Sequence, residues 1–152
     1  MLGNGEEVML AATDLLAETK VAPELSNEAH YYRAKAYLDA GKVEGAMDDL
    51  KILAKDTRNI YGAEAKYKVA QIYFDAGQTE QAEKEVLDYI EVSTPHTYWL
   101  ARSFVLLSDV YMKLGRNLDA KQYLLSLKQN YQADDDIAGM IESRLNKLNA
   151  EN

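Results

Sequence analysis

The sequence contains no cysteine, and only two prolines and eight glycines occur among its 152 residues. Without cysteine the chain can form neither a disulfide nor a thiolate metal site. Cytoplasmic and periplasmic proteins can both lack cysteine, so this absence leaves the localisation unknown. The scarcity of proline and glycine leaves few residues that break helices, which favours an all-helical fold.

The chain also lacks a long hydrophobic run and an excess of basic residues. No apolar stretch approaches the length of a membrane-spanning helix, so direct membrane insertion is not expected. The N-terminal residues show no basic segment followed by an apolar core, so a signal peptide is expected only in a longer precursor. The net charge of −8 argues against nucleic acid as a partner, because binding to phosphates requires a basic surface.

One pattern occurs three times along the chain. A tyrosine, a glycine four residues later and an alanine five residues after that recur at shifts of 36 and then 38 residues: Tyr37, Gly41, Ala46; Tyr73, Gly77, Ala82; Tyr111, Gly115, Ala120. Apolar residues flank each glycine at helical spacing, so each copy predicts two helices joined at the glycine. A repeat of this length predicts a solenoid of stacked helix pairs.

The repeated residues resemble the tetratricopeptide repeat (TPR) family, in a divergent form such as occurs in bacterial proteins. The match lies in a small residue of the first helix and in an alanine and an apolar residue of the second: Ala34, Ala70, Ser108; Ala46, Ala82, Ala120; Leu50, Val86, Leu124. The family's tryptophan and leucine positions depart from the pattern and hold His30, Lys66, Phe104 and Arg33, Val69, Leu107. The shifts are also longer than the family's period of about 34 residues.

The resemblance implies an all-α fold: a right-handed α-solenoid of about three TPR hairpins with an extra N-terminal helix and a C-terminal capping helix. We expect one domain over residues 1–152. Its expected parts are an N-terminal helix at 6–20, repeats at 26–56, 61–92 and 98–130, and a capping helix at 135–148. The acidic run from Asp134 to Asp136 lacks the spacing of a calcium loop, so it is expected to start the capping helix.

In the TPR family the first helices line a concave groove, and the resemblance carries this role to specific positions. They are Tyr31, Lys35, Leu38, Asp39, Tyr67, Gln71, Phe74, Asp75, Asp109, Met112 and Lys113. Tyr31, Tyr67 and Phe74 are the expected hot spots, because aromatic residues dominate buried contacts at interfaces. The alternative is that these three aromatic residues belong partly to the core.

The functional expectation is a non-catalytic module that binds a protein or peptide, as part of a larger TPR protein. No catalytic motif, metal site or cofactor site is recognisable, and His30 and His96 lie in different repeats without a metal-binding context. The alternative is a structural module that extends a solenoid, or a homodimer formed through the apolar N-terminal helix with Leu15 and Leu16.

Overall fold

The computed structural model describes residues 3–17, 22–92 and 94–150, which form eight helices and no strand. The helices are α1 (Asn4–Leu16), α2 (Pro23–Asp39), α3 (Val43–Leu53), α4 (Ile60–Asp75), α5 (Thr79–Glu91), α6 (Thr97–Lys113), α7 (Asn117–Asn130) and α8 (Ile137–Ala150). The predicted all-α helical-repeat class is confirmed. Residues 18–20 of the predicted N-terminal helix lie outside the described residues.

The chain divides into two compact units, Met1–Val69 (unit 1) and Ala70–Asn152 (unit 2), and α4 runs across the division. In unit 1, α2 packs against both α1 and α3. In unit 2, α6 packs against α5, α7 and α8. The predicted limits of the domain and of the repeats stay predictions.

The three repeated glycines form the same turn. Gly41, Gly77 and Gly115 have φ angles of 74°, 79° and 76°, and no described residue other than glycine has a positive φ. In each turn the amide that follows the glycine donates to the carbonyl of the repeated tyrosine: Lys42 to Tyr37 (2.8 Å), Gln78 to Tyr73 (2.8 Å) and Arg116 to Tyr111 (2.7 Å). This is the Schellman arrangement, which satisfies the last carbonyls of a helix.

The small residues of the pattern lie in the core. The alanines of the second helices, Ala46, Ala82 and Ala120, have no exposed surface. The small positions of the first helices are also buried, and at Ser108 the hydroxyl donates to the carbonyl of Val105 at 2.6 Å. Small side chains let two helices of a hairpin approach closely, so these positions determine how tightly each pair packs.

A fourth glycine, Gly62, is required for a different reason. A Cβ atom at this position would lie 1.9 Å from the carbonyl oxygen of Asp56 and 2.6 Å from that of Leu53. The backbone between α3 and α4 therefore occupies the space that a side chain at position 62 would need, and only glycine fits there. The Asn59 side chain starts α4 by accepting a hydrogen bond from the amide of Tyr61 at 2.8 Å.

None of the helices in the described residues is long and apolar enough to cross a membrane.

Gly115→Ala is expected to lower the free energy of unfolding by about 1 kcal/mol, because alanine is strained at a φ of 76°. The matched control is Gly139→Ala in α8, where an added Cβ atom meets nothing within 4 Å. This variant should gain about 0.5–1 kcal/mol, because alanine is the better helix former. Urea denaturation followed by far-UV circular dichroism measures both changes, and a Gly115→Ala variant as stable as the unchanged protein would contradict the assignment of the turn.

Candidate functional site

Four of the predicted groove residues line one cavity of unit 2. Phe74 comes from the end of α4, and Asp109, Met112 and Lys113 come from α6. The cavity has a volume of about 530 Å³. Its remaining lining residues are Ser143, Arg144 and Lys147 of α8. The sequence pattern therefore found one side of this cavity and missed the side that α8 supplies.

Arg144 is held in place by Asp109. Its Nε and Nη2 atoms donate to the two carboxylate oxygens of Asp109, each at 3.0 Å, and Nη1 lies 3.4 Å from the carbonyl of Met140. A bidentate pair of this kind fixes the plane of the guanidinium group. Asp109, predicted as a ligand-facing residue, therefore positions α8 against α6 at the edge of the cavity.

Tyr31 lies in a cluster of tyrosines within unit 1. Its ring centroid is 4.6 Å from that of Tyr61 and 5.3 Å from that of Tyr32. Its hydroxyl donates to Glu64 at 3.2 Å, and the ammonium of Lys35 lies 5.9 Å from its ring centroid. Burial first, and then the charge and hydrogen bond of Glu64, raises the pKa of Tyr31 to about 12, so the phenol is neutral at physiological pH.

The other predicted groove residues differ in exposure. Tyr67 is 7 % exposed. It therefore fits the alternative stated above, in which the aromatic residues belong partly to the core. In unit 1, Leu38 is half-buried and Asp39 is exposed. In unit 2, the Gln71 amide donates to Asp75 at 2.8 Å. The partner-binding role of these residues stays a prediction.

Sequence reasoning missed a buried polar cluster in unit 1. The Asp49 side chain is 1 % exposed, and its carboxylate accepts hydrogen bonds from Arg33 Nη2 at 2.6 Å and Arg33 Nε at 2.8 Å. His30 Nδ1 lies 2.7 Å from Asp49 Oδ1. A carboxylate paired with arginine can only accept, so Nδ1 of His30 carries a proton. Arg33 Nη1 also donates to the Thr13 hydroxyl at 3.1 Å, which extends the cluster to α1.

The same three positions are apolar in the third repeat. A shift of 74 residues relates His30, Arg33 and Asp49 to Phe104, Leu107 and Tyr123. The rings of Phe104 and Tyr123 lie 6.1 Å apart, and Leu107 is fully buried. The polar cluster therefore replaces a hydrophobic contact between the two helices of a hairpin. The sequence indicated this cluster only by the simultaneous difference of all three positions between the first and third repeats.

The acidic run before α8 has the expected role at one residue. Asp135 accepts a hydrogen bond at 2.9 Å from the amide of Ile137, the first residue of α8. Its other oxygen accepts one from the Tyr131 hydroxyl at 2.6 Å. Asp136 accepts one from the Tyr98 hydroxyl at 2.9 Å, which links the start of α8 to α6.

Helical hairpins closed by one repeated glycine turn define an all-α helical-repeat protein. Models of the tetratricopeptide repeat family match the chain over residues 28–56 and again over residues 101–130. The two matches confirm the predicted resemblance to the tetratricopeptide repeat family within these two segments. No curated protein and no solved structure matches it.

Asp49→Ala is expected to lower the free energy of unfolding by about 3 kcal/mol, because it leaves Arg33 and His30 partly buried without their acceptor. The matched variant is His30→Phe with Arg33→Leu and Asp49→Tyr, which installs the residues of the third repeat. We expect it to recover most of the loss, because apolar groups can replace a buried ion pair. Urea denaturation compares the variants, and a neutral Asp49→Ala would show that the cluster contributes nothing to stability.

Proposed function

We propose that this protein is a non-catalytic interaction module that binds a segment of another protein in the cavity of unit 2. TPR repeats generally mediate protein–protein interaction, so protein partners are the expectation for the family. The observation that carries the proposal is the convergence of Phe74, Met112 and Lys113, three residues predicted to face a ligand, on one cavity.

The cavity suits a short segment of chain. Its volume of about 530 Å³ is within the usual range for ligand sites, roughly 300–1,000 Å³. A space of this size holds a few side chains and not a folded domain. Phe74 and Met112 offer apolar contact surface, and Met adapts its shape to different side chains. Charged groups on α6 and α8 surround them, which is the usual arrangement of an apolar centre and a polar rim.

The lining residues support binding without catalysis. Asp109 is the one carboxylate among the described lining residues, and both of its oxygens accept hydrogen bonds from Arg144. This bidentate pair gives Asp109 a structural role between α6 and α8, which favours binding over catalysis. The TPR family is typically non-catalytic, which agrees with this chemistry.

A second candidate function is self-association through α1. Val8 and Leu10 on this helix are 38 % and 53 % exposed, whereas Leu15 and Leu16 are half-buried. Exposed apolar residues on a terminal helix favour contact with another surface.

Phe74→Ala and Met112→Ala are each expected to weaken binding of a peptide selected from a random phage-displayed library by about tenfold, because both remove apolar contact surface at the centre of the site. Leu118→Ala is the control, since this α7 residue is 70 % exposed and does not line the cavity. Calorimetric titration gives the affinities and circular dichroism checks helicity. Selected peptides that bind all three variants as tightly as the unchanged protein would contradict the proposal.

If self-association operates, Leu10→Glu should shift a dimer towards monomer in analytical ultracentrifugation, because a charge replaces an exposed apolar side chain. Leu125→Glu on α7, which is 46 % exposed, is the control and should leave the dimer intact. A monomer at high concentration for the unchanged protein would exclude this candidate.

A further inference from the structure

The cavity of unit 2 is cationic although its surroundings are acidic. Unit 2 contains eight Lys and Arg residues and thirteen Asp and Glu residues, which gives a net charge of −5. The cavity lining contains Lys113, Arg144 and Lys147 with Asp109 as its one described carboxylate, which gives a net charge of +2. Positive charge is therefore concentrated at this cavity within an otherwise negative unit.

The two lysines carry the unpaired charge. Arg144 is neutralised by Asp109 through its two hydrogen bonds of 3.0 Å. Lys113 and Lys147 form no ion pair with any described residue, and both are exposed. They come from different helices, α6 and α8, so they approach the cavity from two sides.

The repeat pattern gives a second, independent indication. Lys113 occupies the position of Asp39 in the first repeat and of Asp75 in the second, at the same shifts that relate the glycines. The charge is thus reversed only in the third repeat, which supplies Asp109, Met112 and Lys113 to this cavity. The other side of the cavity is formed by α8, which lies outside the two segments that the family models match.

We propose that the segment bound in this cavity is acidic, with aspartate or glutamate side chains paired to Lys113 and Lys147 and an apolar side chain against Phe74 and Met112. This inference rests on the proposed function, because it describes the partner of the same site. Exposed lysine–carboxylate pairs contribute little energy each, so they select the partner and speed its association, while the apolar contact supplies affinity. A long polyanion such as nucleic acid does not fit, because the net charge of unit 2 repels it.

The test uses the tightest peptide from the phage library, synthesised with an amidated C-terminus so that every carboxylate is a side chain. Replacing its Asp and Glu residues by Asn and Gln should weaken binding about tenfold at low salt and less at high salt. The double variant Lys113→Glu with Lys147→Glu should lose a similar amount of affinity for the acidic peptide. It should bind a version of the peptide with Lys in place of Glu more tightly than the unchanged protein does. Lys84→Glu on α5 is the control, because this exposed lysine does not line the cavity.

The outcomes separate this inference from the function on which it rests. If the amide version binds as tightly as the acidic peptide while Phe74→Ala still weakens both, the acidic partner is excluded and the binding function stands. If the amidated peptide fails to bind while its counterpart with a free C-terminal carboxylate binds, with or without acidic side chains, the assignment to side chains is overturned. If no selected peptide responds to Phe74→Ala or Met112→Ala, the binding function fails and this inference fails with it.

Discussion

The left-handed turn at the end of each first helix determines the geometry of each hairpin. Only glycine adopts a φ near 75° without strain, and the amide that follows it is bonded to the carbonyl of the repeated tyrosine. The turn therefore fixes the tyrosine relative to the start of the next helix. In the first repeat a Cβ atom at Gly45 would lie 3.1 Å from the Tyr37 ring. In the third repeat the Arg116 guanidinium lies 4.3 Å from the Tyr111 ring centroid, so the same geometry holds a cation against the ring.

The residues predicted well from the sequence were those whose role depends on local geometry. The glycine of each turn and the small residue of each helix act through backbone angle and size, which a repeat pattern displays directly. Gly62 was missed because its constraint is the close approach of the Asp56 carbonyl, and the equivalent positions of the other repeats hold Ser26 and Leu100, so no repeated glycine marked it. Tyr67 was placed in the groove by its position in the pattern, yet its surface is almost entirely buried.

Two chemical solutions occupy equivalent positions in the first and third repeats. His30, Arg33 and Asp49 satisfy one another with hydrogen bonds, whereas Phe104 and Tyr123 make an aromatic contact. Charged residues at helical spacing ordinarily indicate a solvated face, so the charges alone do not reveal that this cluster is buried. The polar set demands matched geometry from all three residues, because a lone buried carboxylate is costly.

The last helix shows how one amphipathic pattern serves two purposes. Its buried residues recur at helical spacing, from Ile137 and Ile141 to Leu145 and Leu148, and complete the core of unit 2. Arg144 precedes Leu145, and Lys147 precedes Leu148, so each lies about 100° around the helix from a buried neighbour. Arg144 thereby reaches Asp109 of α6, while Lys147 stays exposed and still lines the cavity. When one face of α8 is buried, Arg144 and Lys147 therefore come to line the cavity. The helix caps the core of unit 2 and also supplies two positive charges to the candidate site.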